Sequence, residues 1–167
     1  MITVNMVCTG NICRSAMAQI VLQQALEQAG LAGRVAVTSS GISSEEHGNP
    51  VDRRAARALV ARGYPEGRSH RAHRITQAEI EQHDWLIAMT MGHVKALERR
   101  GANPDRVYLL RQFDPACTGQ PQGWELDIDD PWYGGAEDFE HCLDQIEAAM
   151  PGLVSILAAN ADYGRRG

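Results

Sequence analysis

Several features are missing from this chain, and each absence removes a class of protein. Its 167 residues contain no apolar run approaching the roughly 20 needed to cross a bilayer, so no membrane partner is expected. The start has neither the basic stretch nor the long apolar segment of a secretory signal, and a cytoplasmic location is expected. Cysteine is sparse. Cys8, Cys13, Cys117 and Cys142 match neither a paired zinc site nor a disulfide framework, so free thiols are expected. His70, His73 and His83 lie close in sequence, but no carboxylate or thiol pattern accompanies them. No metal and no cofactor are expected, and His73 and His83 read as solvated surface residues. No Gly-Lys-Ser/Thr occurs, which excludes a Walker phosphate loop. Positive charge is not in excess: the formal net charge of −5 argues against nucleic acid as a partner. Seven arginines nevertheless fall between Arg53 and Arg74, among small residues and glycines. They read as a solvated helix face, with steering of anionic substrates as the alternative.

What remains is ordinary for one globular domain. Hydrophobic residues are 44% and charged residues 22%, and a chain of this length can bury a core without staples. No repeat, linker or low-complexity block interrupts it. Strand patterns alternate with helix patterns. Strands are predicted at residues 2–7, with Asn5 as the one polar member, and at 34–39, 85–89 and 106–110. A helix is predicted from 14 or 15 to 29, with an apolar stripe of Ala18, Leu22, Ala25, Leu26 and Ala29. Asn49-Pro50 reads as the cap and first turn of a second helix that carries Val51, Ala55, Ala58 and Leu59 inward and ends near Gly63. Thr76 with Glu79 predicts a capping box for a short helix to residue 82. Thr90 caps a helix to residue 100, which Gly101 ends. The connection from 111 to 135 is long, and such loops are usually functional. A last helix opens near Ala136 with Phe139, Leu143, Ile146 and Met150 on one face, and Pro151 should kink or restart it. The pattern predicts an α/β fold: a single domain over residues 1–161, with a four-stranded parallel sheet and helices on both faces. Residues 162–167 read as a frayed tail.

The chemistry concentrates in Cys8-Thr9-Gly10-Asn11-Ile12-Cys13-Arg14-Ser15. This segment joins a strand to a helix, so backbone amides and a helix N-terminus converge on one point and favour an anion there. Gly10 allows a tight backbone. Cys8, at the strand end, sits in a field that favours the thiolate, the nucleophilic form. Arg14 brings a planar fork suited to two phosphate oxygens, and Ser15 a hydroxyl for the sulfur. A buried structural cysteine beside a helix-capping arginine is the plainer alternative, but it does not explain why all four residue types fall at the spacing of one loop. A phosphatase also needs an acid for its leaving group. Asp130, in Asp129-Asp130-Pro131-Trp132-Tyr133-Gly134, lies in the long loop after the fourth strand, where a parallel sheet gathers functional groups. Trp132 and Tyr133 offer an aromatic wall for a phenyl ring.

These residues resemble the low-molecular-weight protein tyrosine phosphatases, over nearly the whole length: the loop of residues 8–15, Gly48-Asn49-Pro50, Ser69-His70, and Asp130-Pro131 through Gly134. The resemblance implies the family's Rossmann-like fold of phosphotyrosine protein phosphatase I type, with Cys8, Arg14 and Asp130 catalytic and residues 9–15 binding phosphate. It implies a phosphocysteine on Cys8, and Asp130 acting first as acid and then as base. It implies that Asn11 holds the loop in a strained shape, bonded to His70, and that Cys13 forms a reversible disulfide with Cys8. The implied partners are phosphotyrosine-containing proteins, with inorganic phosphate as product and inhibitor. Three positions depart from the family's usual residue: Ala16 for proline, Glu45 for an aromatic wall residue and Thr90 for aspartate.

Three alternatives compete. Arsenate reduction on this scaffold needs relay cysteines, and none lies between Cys13 and Cys117. Relatives that act on phosphoarginine carry threonine where Ile12 stands, and an apolar Ile12 disfavours a guanidinium. A phosphate-binding module without catalysis would need neither Cys8 nor Asp130.

Overall fold

The computed structural model describes residues 1–117, 119 and 123–163. Four strands, β1 (Ile2–Cys8), β2 (Val35–Gly41), β3 (Trp85–Ala88) and β4 (Val107–Leu109), form one sheet in the order β2-β1-β3-β4. All neighbours are parallel. β1 pairs with β2 from Ile2–Val35 to Cys8–Gly41, and with β3 from Val4–Trp85 to Val7–Ala88. The chain therefore leaves β1 toward one edge and returns to its other side. The switch point lies at the carboxyl end of β1, where open α/β sheets form their binding crevice.

Among the described residues five helices cover the sheet: α1 (Arg14–Gln28), α2 (Arg53–Ala61), α3 (Gln77–Gln82), α4 (Met91–Arg99) and α5 (Ala136–Tyr163). Alternation along the strands sorts the core. Val4, Met6 and Cys8 face one cluster with α1, α2 and α5, while Val7, Leu86 and Ala88 face another with α3 and α4. The polar member of β1 is accounted for: Asn5 is fully buried, donates to Thr38 Oγ1 at 3.0 Å and accepts from Ser40 Oγ at 2.6 Å. A buried amide so paired avoids the cost of an unmet hydrogen bond.

Several expectations need correction. The stripe of α1 is buried at Ala18, Leu22 and Leu26, but Ala29 is exposed, because the helix has ended by then. The cap of α2 is Asp52 and not Asn49. Asp52 accepts from Arg54 N at 2.8 Å while its own amide donates to Ile12 O at 2.9 Å, and Asn49 turns to the Glu46 carboxylate instead. The short helix at 77–82 carries the Thr76–Glu79 capping box as expected. β4 is shorter than 106–110, because Leu110 already belongs to a 3-10 turn, Leu110–Phe113. The long connection is built from further turns, Pro115–Cys117, Trp124–Leu126 and Pro131–Tyr133.

Pro151 does not break α5, which continues to Tyr163. A proline inside a helix costs about 3 kcal/mol. Beyond it Leu153 and Leu157 are fully buried, and each contributes roughly 1.5–3 kcal/mol, enough to offset the lost bond. The same helix passes the expected domain end at 161: Asp162 is helical and accepts from Arg34 at 2.6 Å, while residues 164–167 lie outside the described residues. By length and hydropathy α5 reaches the scale of a membrane span, contrary to the expectation from runs alone. Phe139, Leu143, Ile146, Leu153 and Leu157 are packed in the core, while Ile156 is exposed.

Nor are the arginines one solvated face. Arg62 is gripped by Glu140 and Asp144, each at 2.7 Å, and by Glu147, all on α5. Burial opposes its charge, but the three carboxylates outweigh it and raise its pKa. His73 and His83 are half-buried and bonded, His73 to Glu79 at 2.8 Å and His83 to Thr38 at 3.0 Å.

Candidate active site

The loop between β1 and α1 wraps the Cys8 sulfur. Asn11 carries its strain: its φ of 62° is the one positive value outside glycine among the described residues. Asparagine tolerates that region better than most residues. Gly10, expected to provide the tight bend, has no positive φ; a Cβ there would lie 3.1 Å from Glu46 Cγ, so its role is close approach. Besides its backbone N–H, which donates to the Cys8 sulfur, four contacts hold Asn11. Its side-chain amide donates to Ser15 Oγ at 2.8 Å and Ser39 Oγ at 3.0 Å, its side-chain oxygen accepts from His73 N at 3.2 Å, and its carbonyl lies 2.6 Å from His70 Nε2. Burial lowers the pKa of His70, which favours the neutral ring in that contact. β2 must end on glycine, because a side chain at Gly41 would sit 2.5 Å from Thr9 O.

Around the sulfur, Ser15 Oγ lies at 3.0 Å and the Asn11 amide donates at 3.3 Å. Cys8 is only 3% exposed, yet it lines a cavity of about 200 Å³. α1 opens on Cys13 with no side-chain cap and no acid in its first turn, so its first amides stay available to an anion. Cys13 also lines the cavity. Its thiol is pushed up by burial and by the nearby Asp52, Cys8 and Asp130, so it stays protonated. Cys142, in the core, is pushed up to about 12, chiefly by burial. All four cysteines are free.

Arg14 is buried and joins two loops. It donates to Ile128 O at 2.8 Å and to Thr9 Oγ1 at 3.4 Å, and lies 3.4 Å from the Asp130 carboxylate. Ile128 N in turn donates to Met89 O at 3.0 Å, and Asp127 accepts from Met91 N at 2.8 Å. Asp130 also caps its own turn, accepting from Trp132 N at 3.1 Å. Trp132 and Tyr133 meet edge to face at 5.0 Å and remain exposed on the wall of the cavity, which Glu45 and Glu46 also line. The structure thus gathers Cys8, residues 9–14, Asp130, Trp132 and Tyr133 around one cavity, while Ser15 is buried beside the Cys8 sulfur and His70 bonds the loop at Asn11.

Two residues escape the sequence reading. Arg54 binds Asp52, donates to Trp132 O at 3.0 Å and Gly134 O at 3.2 Å, and lies 4.6 Å over the Phe139 ring, so it fastens the acid loop to α2. His93, at the start of α4, is buried and reaches Thr9 Oγ1 at 2.9 Å. Its Nδ1 has no partner among the described residues. The Thr90 cap, accepting from His93 N at 3.2 Å, is the one local signal at that site.

Burial, with the Arg14 charge second, pushes the pKa of His93 down to about 3. An unfolded imidazole titrates near 6.5, so between these values the unfolded chain binds the extra proton. The stability this group confers is present above pH about 6.5 and is lost as pH falls toward 3, with a ceiling of roughly 5 kcal/mol. His93→Asn should flatten this acid limb: its urea midpoint should fall less between pH 7 and pH 4 than that of the parent. Equal falls would place the acid sensitivity elsewhere.

Comparison with known proteins agrees with this geometry. Residues 3–162 match the model of the family described as low molecular weight phosphotyrosine protein phosphatase. A low molecular weight protein-tyrosine-phosphatase of Streptomyces coelicolor is 40% identical over 152 residues, 89% of each chain. Low molecular weight protein-tyrosine phosphatase A of Mycobacterium tuberculosis is 41% identical over 150 residues, 90% of this chain and 88% of the relative. A structure of the YwlE arginine phosphatase, a mutant with a phosphorylated active-site serine, superposes with a TM-score of 0.80 at 26% identity, covering 94% of this chain and 96% of the other. By sequence and by fold, the chain belongs to the low molecular weight phosphotyrosine protein phosphatases, a family of hydrolases.

Proposed function

We propose that the chain hydrolyses phosphotyrosine in proteins through a phosphocysteine on Cys8. The observation that carries the reading is the placement of the Cys8 sulfur, the Arg14 guanidinium and the Asp130 carboxylate around a single cavity, with Arg14 3.4 Å from Asp130. In the first step the Cys8 thiolate attacks phosphorus, and the bond to the tyrosyl oxygen breaks. The amides of residues 9–15 and the Arg14 fork hold the equatorial oxygens, where charge accumulates. Asp130 gives its proton to the departing phenolate. In the second step the same carboxylate takes a proton from water, water attacks phosphorus, and the sulfur leaves, stabilised by Ser15. Inorganic phosphate is released. Cys13, a protonated thiol beside the nucleophile, would capture an oxidised Cys8 as a disulfide before further oxidation.

The wall chemistry selects the leaving group. Ile12, Trp132 and Tyr133 present apolar surface to a phenyl ring. The similar YwlE structure is of an arginine phosphatase, which makes phosphoarginine the competitor to exclude. A panel of phosphotyrosine, phosphoserine and phosphoarginine peptides, with arsenate alongside, decides this. Phosphotyrosine should be turned over with the highest kcat/KM. Faster turnover of phosphoarginine, or reduction of arsenate, would replace the reading.

A further inference from the structure

A second concavity has a chemistry that the proposed reaction does not use. It is a groove of about 780 Å³ between α2 and the segment 64–71. Val51, Ala56 and Val60 give it an apolar side, and Val60 is 53% exposed. Four guanidinium groups rim it, those of Arg53, Arg57, Arg68 and Arg71, against one carboxylate, Glu66, which pairs with Arg68 at 2.6 Å. Arg71 bonds only backbone carbonyls, and Arg53 and Arg57 have no acidic partner among the described residues.

Helix stability does not explain these arginines. Arg53 stands in the first turn of α2, where the helix dipole disfavours a cation, and it repeats four residues on as Arg57, a like-charge spacing that repels. Arg54, its neighbour, is accounted for by Asp52 and the acid loop, but Arg53 is not. A local excess of positive charge on a chain of net charge −5 marks a place where an anionic partner fits. The groove is also tied to the phosphate loop: Val51 lies in its wall, and the next residue, Asp52, donates its amide to Ile12 O at 2.9 Å.

We infer that this groove docks an acidic segment of the phosphoprotein substrate, a few residues from the phosphotyrosine. The inference rests on the phosphatase reading above. A concave surface with charges from two segments suits an extended chain of aspartate and glutamate, whose carboxylates each meet a guanidinium fork while the backbone crosses the apolar side.

The test compares the full-length parent with the Arg53→Ala/Arg57→Ala variant on three substrates: p-nitrophenyl phosphate and two phosphotyrosine peptides that differ only in flanking Asp/Glu against Asn/Gln. At low salt the parent should prefer the acidic peptide by roughly 5-fold in kcat/KM, as expected of a few exposed ion pairs. The preference should shrink in about 0.3 M salt through screening. The variant should lose it and keep its rate on p-nitrophenyl phosphate. Equal rates on both peptides in the parent, or an unchanged preference in the variant, would overturn the inference while leaving the phosphatase reading intact. No turnover of p-nitrophenyl phosphate by the parent would strike the phosphatase reading, and this inference with it. Sedimentation of the parent but not the variant with phosphatidylserine vesicles, without any peptide preference, would assign the groove to a membrane surface and also overturn it.

Discussion

Cys8→Ser should lose hydrolysis of aryl phosphates by a factor on the order of 10⁵–10⁶, the scale seen when a covalent nucleophile is removed. The variant should still bind phosphate. A serine hydroxyl is not ionised near neutral pH, so it cannot attack as a thiolate does. The substitution changes little else. Cys8 is packed at 3% exposure, and serine is close to it in size. The Asn11 amide and the Ser15 hydroxyl, at 3.3 and 3.0 Å from the sulfur, would still point at the site. Arg14 and the first amides of α1 are untouched. Phosphate at 100 times its dissociation constant should stabilise both proteins by about 2.7 kcal/mol, a melting shift of several degrees for a domain of this size. Substantial activity in the variant would refute the covalent route. Loss of the phosphate-induced shift would show instead that the cradle had collapsed.

Asp130 should show a smaller loss that depends on the leaving group. Asp130→Asn should slow turnover of phosphotyrosine by roughly 10²–10⁴-fold, the range of general acid catalysis, and that of p-nitrophenyl phosphate by clearly less. The amide can keep the cap on Trp132 N, which Asp130 accepts at 3.1 Å, but it has no proton to transfer. Asp130→Ala removes the cap as well, at a cost of about 1 kcal/mol in local stability. The pair of variants separates chemistry from positioning. If both lose activity equally on good and poor leaving groups, the acid is a different residue.

Local signals in the chain were legible where local physics decides the outcome. The alternation in β1, the Thr76–Glu79 box and the Thr90 cap all depend on neighbours within a few residues. The loop of residues 8–15 is likewise one contiguous segment, so its spacing could be read directly. Residues whose role depends on distant partners were not legible. His93 meets Thr9 across 84 positions, and Arg54 meets Trp132 across 78. Arginines with different functions looked alike in sequence. Arg62 is clamped by α5, Arg54 fastens a loop, and Arg53 faces a groove. The cap of α2 went to Asp52 over Asn49 because a tertiary contact, its amide on Ile12 O, fixed where the helix could begin. Pro151 does not restart the helix, because apolar burial on its far side offsets the lost bond.

The backbone of Ile128 is engaged on both sides, its N–H donating to Met89 O and its carbonyl oxygen accepting from Arg14. Arg54 grips the same loop further along, at Trp132 and Gly134. The loop that carries Asp130 is therefore held by the same bonds that hold Arg14. Its ordering entropy is lost once, during folding, rather than in each catalytic cycle. Under the mechanism proposed above, the acid and the phosphate-binding arginine would stand assembled before the substrate arrives, with no closing lid required to bring them together.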